Sequence, residues 1–324
     1  MGFIYSQLFG SLPYPTGSYA GKTIVITGSN VGLGKEAARH YARLGAGTLV
    51  LGVRSTDKGD AAKRDIEATT GCASDVIRVW PLDMASYASV KAFAARVAAE
   101  LDRVDIFLAN AGVAKTRYVR AEQDEETITV NVVSTFLLAA LVMPKLKATA
   151  AAFGTRPTLV ITSSEVHGFT KFPQRTAPDG EIFSTVSDPD APKKIWDQQY
   201  PVSKLLEVLA VRAIAERHPA DKLPVTINYV NPGLCHSELA RELDTWAFWL
   251  MKLILARSTE YGSRTLVHAG AQGAESHGQY LSDCGIESPA PFVTSKEGKE
   301  VQDRVWAELV KKLEAIQPGV TSNF

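Results

Sequence analysis

The apolar positions of this chain fall into short runs separated by longer stretches of helical spacing. Six runs, 22–27, 48–53, 76–82, 104–109, 158–163 and 225–230, are apolar or β-branched and short enough for fully buried strands. Between them the 3.6-residue pattern predicts helices at 33–45, 57–69, 86–101, 122–148 and 200–217. Strand alternating with helix in this way predicts βαβ units and a parallel sheet covered on both faces, an α/β architecture. Two stretches break the alternation: 168–199, rich in Pro, Asp and Lys, and 234–258. Long irregular segments in a compact α/β domain are usually functional or disordered. No repeat, low-complexity tract or linker marks a second domain. The expected organisation is an N-terminal extension, 1–20, and one domain, 21–324, with insertions at 168–199 and 234–258.

Composition narrows the function classes. The 324 residues are 45% hydrophobic, enough for a large core, and Lys+Arg and Asp+Glu both count 35. A balanced charge offers no field for nucleic acid or an anionic membrane. Cys72, Cys235 and Cys284 are far apart and lack C-x-x-C spacing, which argues against disulfides or zinc and fits a reducing cytoplasm. The first 21 residues lack the basic and long apolar regions of a signal peptide, although Met1-Gly2 with Ser6 resembles a myristoylation start. The nearly apolar run 128–143 carries Asn131, Ser134 and Thr135 and is shorter than a membrane span, so a buried helix is expected. The run 246–256 is shorter still and contains Lys252.

Two patterns carry chemistry. After the first strand, Gly28, Gly32 and Gly34 form a G-x-x-x-G-x-G turn leading into a helix. Glycine allows positive φ and close ligand approach, and a helix N-terminus offers free N–H groups to a diphosphate. Further on, Tyr200 and Lys204 in "YPVSK" stand four apart, on one face of a helix. Alone this would be an ordinary surface pair. In a site, the lysine charge would lower the tyrosine pKa and suit the phenol to proton transfer.

The T-G-x-x-x-G-x-G turn, "NAG" at 110–112 and "YPVSK" at 200–204, in that order, resemble the short-chain dehydrogenase/reductase family over about residues 20–284. "LGVRSTDKG", "SSEVH", "NPGLCHSEL" and "HGQYLSDC" resemble its retinol-dehydrogenase-like branch, which handles retinoids, steroids and ketones of specialised metabolism. The resemblance implies a single Rossmann-like, doubly wound parallel sheet of about seven strands. It implies that Tyr200 gives or takes the proton, that Lys204 binds the nicotinamide ribose and lowers the Tyr200 pKa, that Ser164 hydrogen-bonds the substrate oxygen, and that Asn131 helps hold a relay water. For the cofactor it implies Gly28, Ser29, Asn30, Gly32, Leu33 and Gly34 at the diphosphate, and Asp83 with Met84 at the adenine. Asn110, Ala111 and Gly112 would form the floor, with Pro232, Gly233 and Cys235 near the carboxamide and Ser237 near the phosphates. Two departures stand out: Ser164 and Tyr200 are 36 positions apart, longer than usual, so 168–199 is expected to build part of the substrate pocket. Cys235 stands where a β-branched aliphatic is common.

The second strand ends in Val53 where an NAD-selecting acid would stand, and Arg54 follows, which points to NADP(H). His167 and His236 lack hydrolase or metal context and read as pocket or loop residues; no metal is expected. Trp246, Phe248, Trp249 and Leu250 are either a packed helix or a lid over an apolar substrate. The 200–217 helix is apolar round more than one stripe, which suggests a homodimer. The expected function is NADP(H)-dependent hydride transfer between nicotinamide and a ketone or alcohol of a bulky apolar molecule. A catalytically silent NADP(H)-binding sensor is the alternative.

Overall fold

The computed structural model describes residue 7 and residues 10–236 and 255–324, apart from the side chain of Lys194. The first strand, β1 (Thr23–Thr27), is buried at every position and leads into α1 (Gly32–Arg43). There follow β2 (Thr48–Val53), α2 (Thr56–Thr70), β3 (Ile77–Pro81), α3 (Tyr87–Glu100) and β4 (Ile106–Ala109). The helix α4 spans Glu126–Phe153, with a wide π turn at Thr129–Ser134. Then come β5 (Thr158–Thr162), α5 (Gln199–Arg217), β6 (Thr226–Asn231) and α6 (Thr259–Gly270). A short hairpin, β7 (Tyr280–Ser282) and β8 (Gly285–Glu287), and the long helix α7 (Lys296–Ile316) complete the fold.

The sheet order is β8-β7-β6-β5-β4-β1-β2-β3, parallel throughout except that β8 runs antiparallel to β7. This is the doubly wound arrangement expected, with one strand more than the expected seven. The inner strands β1, β2, β4, β5 and β6 are buried almost throughout because helices cover both faces, while the edge strands β3 and β8 carry exposed positions. One face carries a core with Phe93, Phe136, Leu205 and Trp306, the other a core with Tyr41, Ile66 and Leu266.

The structure bears on three sequence expectations, of which the first, a buried helix over the apolar run, holds. The apolar run at 128–143 belongs to a longer helix, which continues through an alanine-rich segment and stops at Gly154, where φ is +61°. Among the described residues it is the one helix long and apolar enough to cross a membrane, but 89% of its apolar window is buried inside the fold, as in a core helix. The apolar residues of α5 leave no free face: Leu205, Leu206, Val208, Leu209, Val211 and Ile214 are all at most 1% exposed. The chain's own α7 packs on α5. The 168–199 stretch lends Phe169 and Asp197 to the cleft and otherwise packs into the fold. It forms short helices at Pro173–Thr176, Ile182–Val186 and Lys193–Trp196, and Phe172, Ile182, Phe183 and Val186 are buried in the main core. Glu308 of α7 accepts hydrogen bonds from the backbone N–H groups of Ile182 (3.2 Å) and Phe183 (3.1 Å).

Candidate active site

Strand order reverses between β1 and β4, and the cleft that opens at the carboxyl ends of these strands has a volume of about 560 Å³. Its first wall is the glycine turn. Gly28 and Gly32 adopt φ of +64° and +61°, a region that favours glycine. A Cβ on Gly34 would come within 2.6 Å of the Asn110 Nδ2 and the Gly28 carbonyl oxygen, so Gly34 is needed for packing. It does not line the cleft, and neither does Ser29, which is fully buried and donates to the Ile26 carbonyl at 2.9 Å. These two expected diphosphate contacts are instead the struts of the turn. Asn30, Gly32 and Leu33 do face the cleft.

The start of α1 has no capping side chain and no acid in its first turn, whereas α2 and α3 are capped by Ser55 and Ser86. Its orphan N–H groups and positive dipole end therefore remain available at the cleft, which fits a diphosphate. Asn110 braces this wall from β4: its Nδ2 donates to the carbonyls of Thr27 (2.9 Å) and Gly28 (3.1 Å). The Thr27 hydroxyl accepts from the N–H groups of Asn110 and Ala111. Asn110, Ala111 and Gly112 border the cleft, as do Asp83 and Met84. At the end of β2, Val53 is buried while Arg54 is exposed at the rim with Ser55 and Lys58. Lys58 was not among the expected site residues. Its signal is a cation in the first turn of α2, where the helix dipole disfavours one.

On the opposite side, Ser164 follows β5, and Tyr200 and Lys204 lie in the first turns of α5. All three line the cleft. Lys204 Nζ sits 5.5 Å from the Tyr200 ring centroid. It donates to the Thr162 carbonyl at 2.9 Å and to Glu207 Oε1 at 2.8 Å. Burial raises the Tyr200 pKa above its ordinary 10; the Lys204 charge and the Ser164 hydroxyl pull it down, while Glu207 pushes it up. The expected lysine effect is present, but the net direction in this structure is upward. Asn131 sits in the π turn, fully buried and off the cleft. Its amide is committed to the Val113 backbone on both sides and to Ser203 Oγ, all at 2.9 Å. The side chain thus shapes the Gly112–Val113 wall beside Lys204 and does not face the cleft.

Pro232, Gly233 and Cys235 border the cleft after β6. Burial pushes the Cys235 thiol up to about 12, which makes it a poor nucleophile. Asn231, another residue the sequence reading missed, accepts through Oδ1 from Glu165 N (3.1 Å) and Gly233 N (3.0 Å), tying the two walls together. Ser237, with the Trp246–Leu250 cluster, lies outside the described residues. Among the described residues, the backbone N–H of Arg257 donates to the Leu234 carbonyl and that of His236 to the Arg257 carbonyl. His167 is buried, with Nδ1 against the Ser164 carbonyl (2.7 Å) and Nε2 accepting from Ala290 N (2.9 Å), a structural pairing. Among the described residues of the 168–199 stretch, only Phe169 and Asp197 line the cleft. Among the described residues no cluster of three metal-ligating side chains occurs.

A switch-point cleft with a glycine turn, an uncapped helix start and a Tyr–Lys pair opposite defines a dinucleotide-binding oxidoreductase. Residues 22–177 match the model of the short chain dehydrogenase family. The chain is 72% identical over 324 residues to the short chain dehydrogenase/reductase dmxR8 of Cryptosporiopsis sp. (strain 8999), covering 100% of both chains. It is 40% identical to the short-chain dehydrogenase anuD of Penicillium roqueforti, over 99% of this chain and 84% of that one. Among solved structures, an uncharacterized protein from Mycobacterium paratuberculosis superposes with a TM-score of 0.66 at 24% identity, covering 94% and 96% of the two chains. A short chain dehydrogenase from Shigella flexneri, solved with NADP, superposes at 0.58 and 22% identity, covering 82% and 98%. The chain belongs to the short-chain dehydrogenase/reductase family. It is accordingly an oxidoreductase acting on CH–OH donors with a nicotinamide cofactor.

Proposed function

We propose that this protein is an NADP(H)-dependent reductase of bulky apolar ketones or aldehydes, working in the cytoplasm in specialised metabolism. The observation that carries the reading is the convergence of Ser164, Tyr200 and Lys204 on the cleft whose far rim is Arg54 and Lys58. The nicotinamide, when bound, supplies the hydride. Asn30, Gly32 and the start of α1 would hold the diphosphate, and Arg54 and Lys58 the 2′-phosphate. Two of the three Lys204 ammonium N–H groups are taken by Thr162 and Glu207, which leaves one for a ribose hydroxyl. Ser164 would hold the carbonyl oxygen while Tyr200 donates a proton to it, and in the reverse direction Tyr200 accepts that proton. Phe169, 59% exposed, and the neighbouring Val113, Val166 and Leu234 give the substrate end an apolar character. The Shigella flexneri enzyme solved with NADP supports the cofactor choice by likeness of fold. Free Cys72, Cys235 and Cys284 suit a reducing compartment.

Tyr200→Phe keeps the ring and removes the transferable proton. The expected result is a loss of about 10²–10⁴-fold in kcat on carbonyl substrates, with NADPH affinity retained. Near-normal turnover in the variant would remove Tyr200 from the mechanism. A wild type that binds NADPH but reduces none of a broad carbonyl panel would favour the sensor reading.

A further inference from the structure

One titratable group in contact with the site has no place in the chemistry above. Glu207 lies one turn beyond Lys204 on α5, is 2% exposed, and ion-pairs with the Lys204 ammonium at 2.8 Å. A carboxylate removed from water is costly unless it is paired, and here its partner is the cation that faces the Tyr200 phenol. The second oxygen, Oε2, is buried without a formed hydrogen bond, although the Ser163 hydroxyl is near enough to favour the charged form. We propose that Glu207 is a positioning residue that sets the acidity of Tyr200 by holding and partly cancelling the charge of Lys204.

The geometry has two consequences. Held by the Thr162 carbonyl and Glu207, the lysine head cannot swing toward the phenol, and its remaining N–H is directed by the other two bonds. The negative charge also opposes the pull of Lys204 on the phenol, which keeps Tyr200 a proton donor, as a reductase requires. Ionisation of Glu207 itself is disfavoured by burial and favoured by Lys204 and Ser163, with the balance at about 7. Near neutral pH the carboxyl would lose its charge as pH falls, and the full charge of Lys204 would then act on the phenol. The other groups acting on the phenol are Ser164 after β5 and Cys235 after β6, while Asn131 of α4 is neutral. Packed on α5 from outside, α7 engages Glu216 with Lys299 (2.7 Å) and Arg217 with Asp303 (2.9 Å).

The inference rests on the proposed acid–base role of Tyr200, but its test needs no substrate. The ultraviolet tyrosinate titration of the full chain is recorded with and without Tyr200→Phe, and the difference isolates one phenol among ten tyrosines. The same pair is measured on the Glu207→Gln background. Gln keeps length and the lysine contact but removes the charge, and the Tyr200 pKa is expected to fall by about one unit. A merely structural Glu207 would lower the melting temperature and leave the titration unmoved, which would overturn the proposal. Glu207→Met serves if Glu207→Gln does not fold. If neither folds, Glu207 is a folding residue and the proposal fails. Turnover surviving in Tyr200→Phe would sink the functional reading alone. An unmoved titration beside an inactive Tyr200→Phe would sink the Glu207 role alone.

Discussion

Arg54 is the residue on which cofactor choice is proposed to turn. It stands exposed at the end of β2 beside a buried Val53, so that position carries no carboxylate to accept from ribose hydroxyls or to repel a phosphate. A charged hydrogen-bond set to a phosphate is worth about 1.5–3 kcal/mol. Arg54→Ala is therefore expected to weaken NADPH by about 10- to 100-fold and NADH little, as measured by cofactor fluorescence titration. Equal losses for both, or a wild type that prefers NADH, would overturn the choice. That Arg54, Tyr200 and Lys204 border one cleft was legible because the motifs that mark them are local, which a sequence displays. Glu207 was not, because a glutamate three residues after a lysine normally reads as a solvated pair. Only its burial, with Ser163 beside it, makes it a pair with consequences. Ser29 and Gly34 were read as ligand contacts because the motif marks the turn but not which of its residues face inward.

The starts of helices show how an element sets up the site. The α4 start is capped by Glu125, which accepts from Ile128 N (3.3 Å) and Thr127 Oγ1 (3.0 Å). Gln199, the residue before Tyr200, donates to the same carboxylate at 3.4 Å and to the Val186 carbonyl at 2.8 Å. One buried acid thus joins α4 and the catalytic turn of α5, and Gln199 extends the link to the 168–199 stretch. Burial lifts Glu125 from 4.5 to about 7, against the lowering effect of its Thr127 and Ile128 hydrogen bonds. A folded-state pKa above the unfolded value means that its contribution to stability is fully present below pH 4.5 and is lost as pH rises through about 7. Glu207 acts in the same direction. The melting temperature is expected to fall between about pH 5 and pH 7.5, and Glu125→Gln should flatten part of that slope. Calorimetry showing an unchanged slope in the variant would exclude this account. At this scale β1 to β6 were legible to within two residues at either end, since their runs are mostly apolar, whereas the short strands β7 and β8 were not read. That 168–199 also packs into the core was not legible, because Phe172, Ile182, Phe183 and Val186 are spread among prolines and acids without a period. Their docking partner α7 lies more than a hundred residues later. Its own signal is the four-residue stripe of Val301, Val305, Leu309 and Leu313.

Across the whole molecule, α7 decides what the chain presents to others. Pairing through α4 and α5 would need their outer faces to be bare. Here Val305, Leu309 and Leu313 of α7 cover α5 within the main core. The C-terminal turn covers α4: Asn323 Nδ2 donates to the Ala140 carbonyl at 3.1 Å, Lys147 Nζ to the Phe324 carbonyl at 3.2 Å. The Phe324 ring packs edge-on against Trp306, with centroids 6.1 Å apart. Hydrophobic association needs apolar area that water still touches, and the apolar residues of α5 have already buried theirs. The sequence showed an apolar α5 correctly, but periodicity cannot tell whether a second copy or a later helix of the same chain covers it. The expected species by light scattering at micromolar concentration is a single chain of 35.0 kDa. Leu309→Asp, which places a charge against α5, should loosen α7 and produce concentration-dependent association through the uncovered face. A wild type of twice the single-chain mass, unchanged by Leu309→Asp, would show that the chains meet elsewhere and that α7 does not decide the assembly.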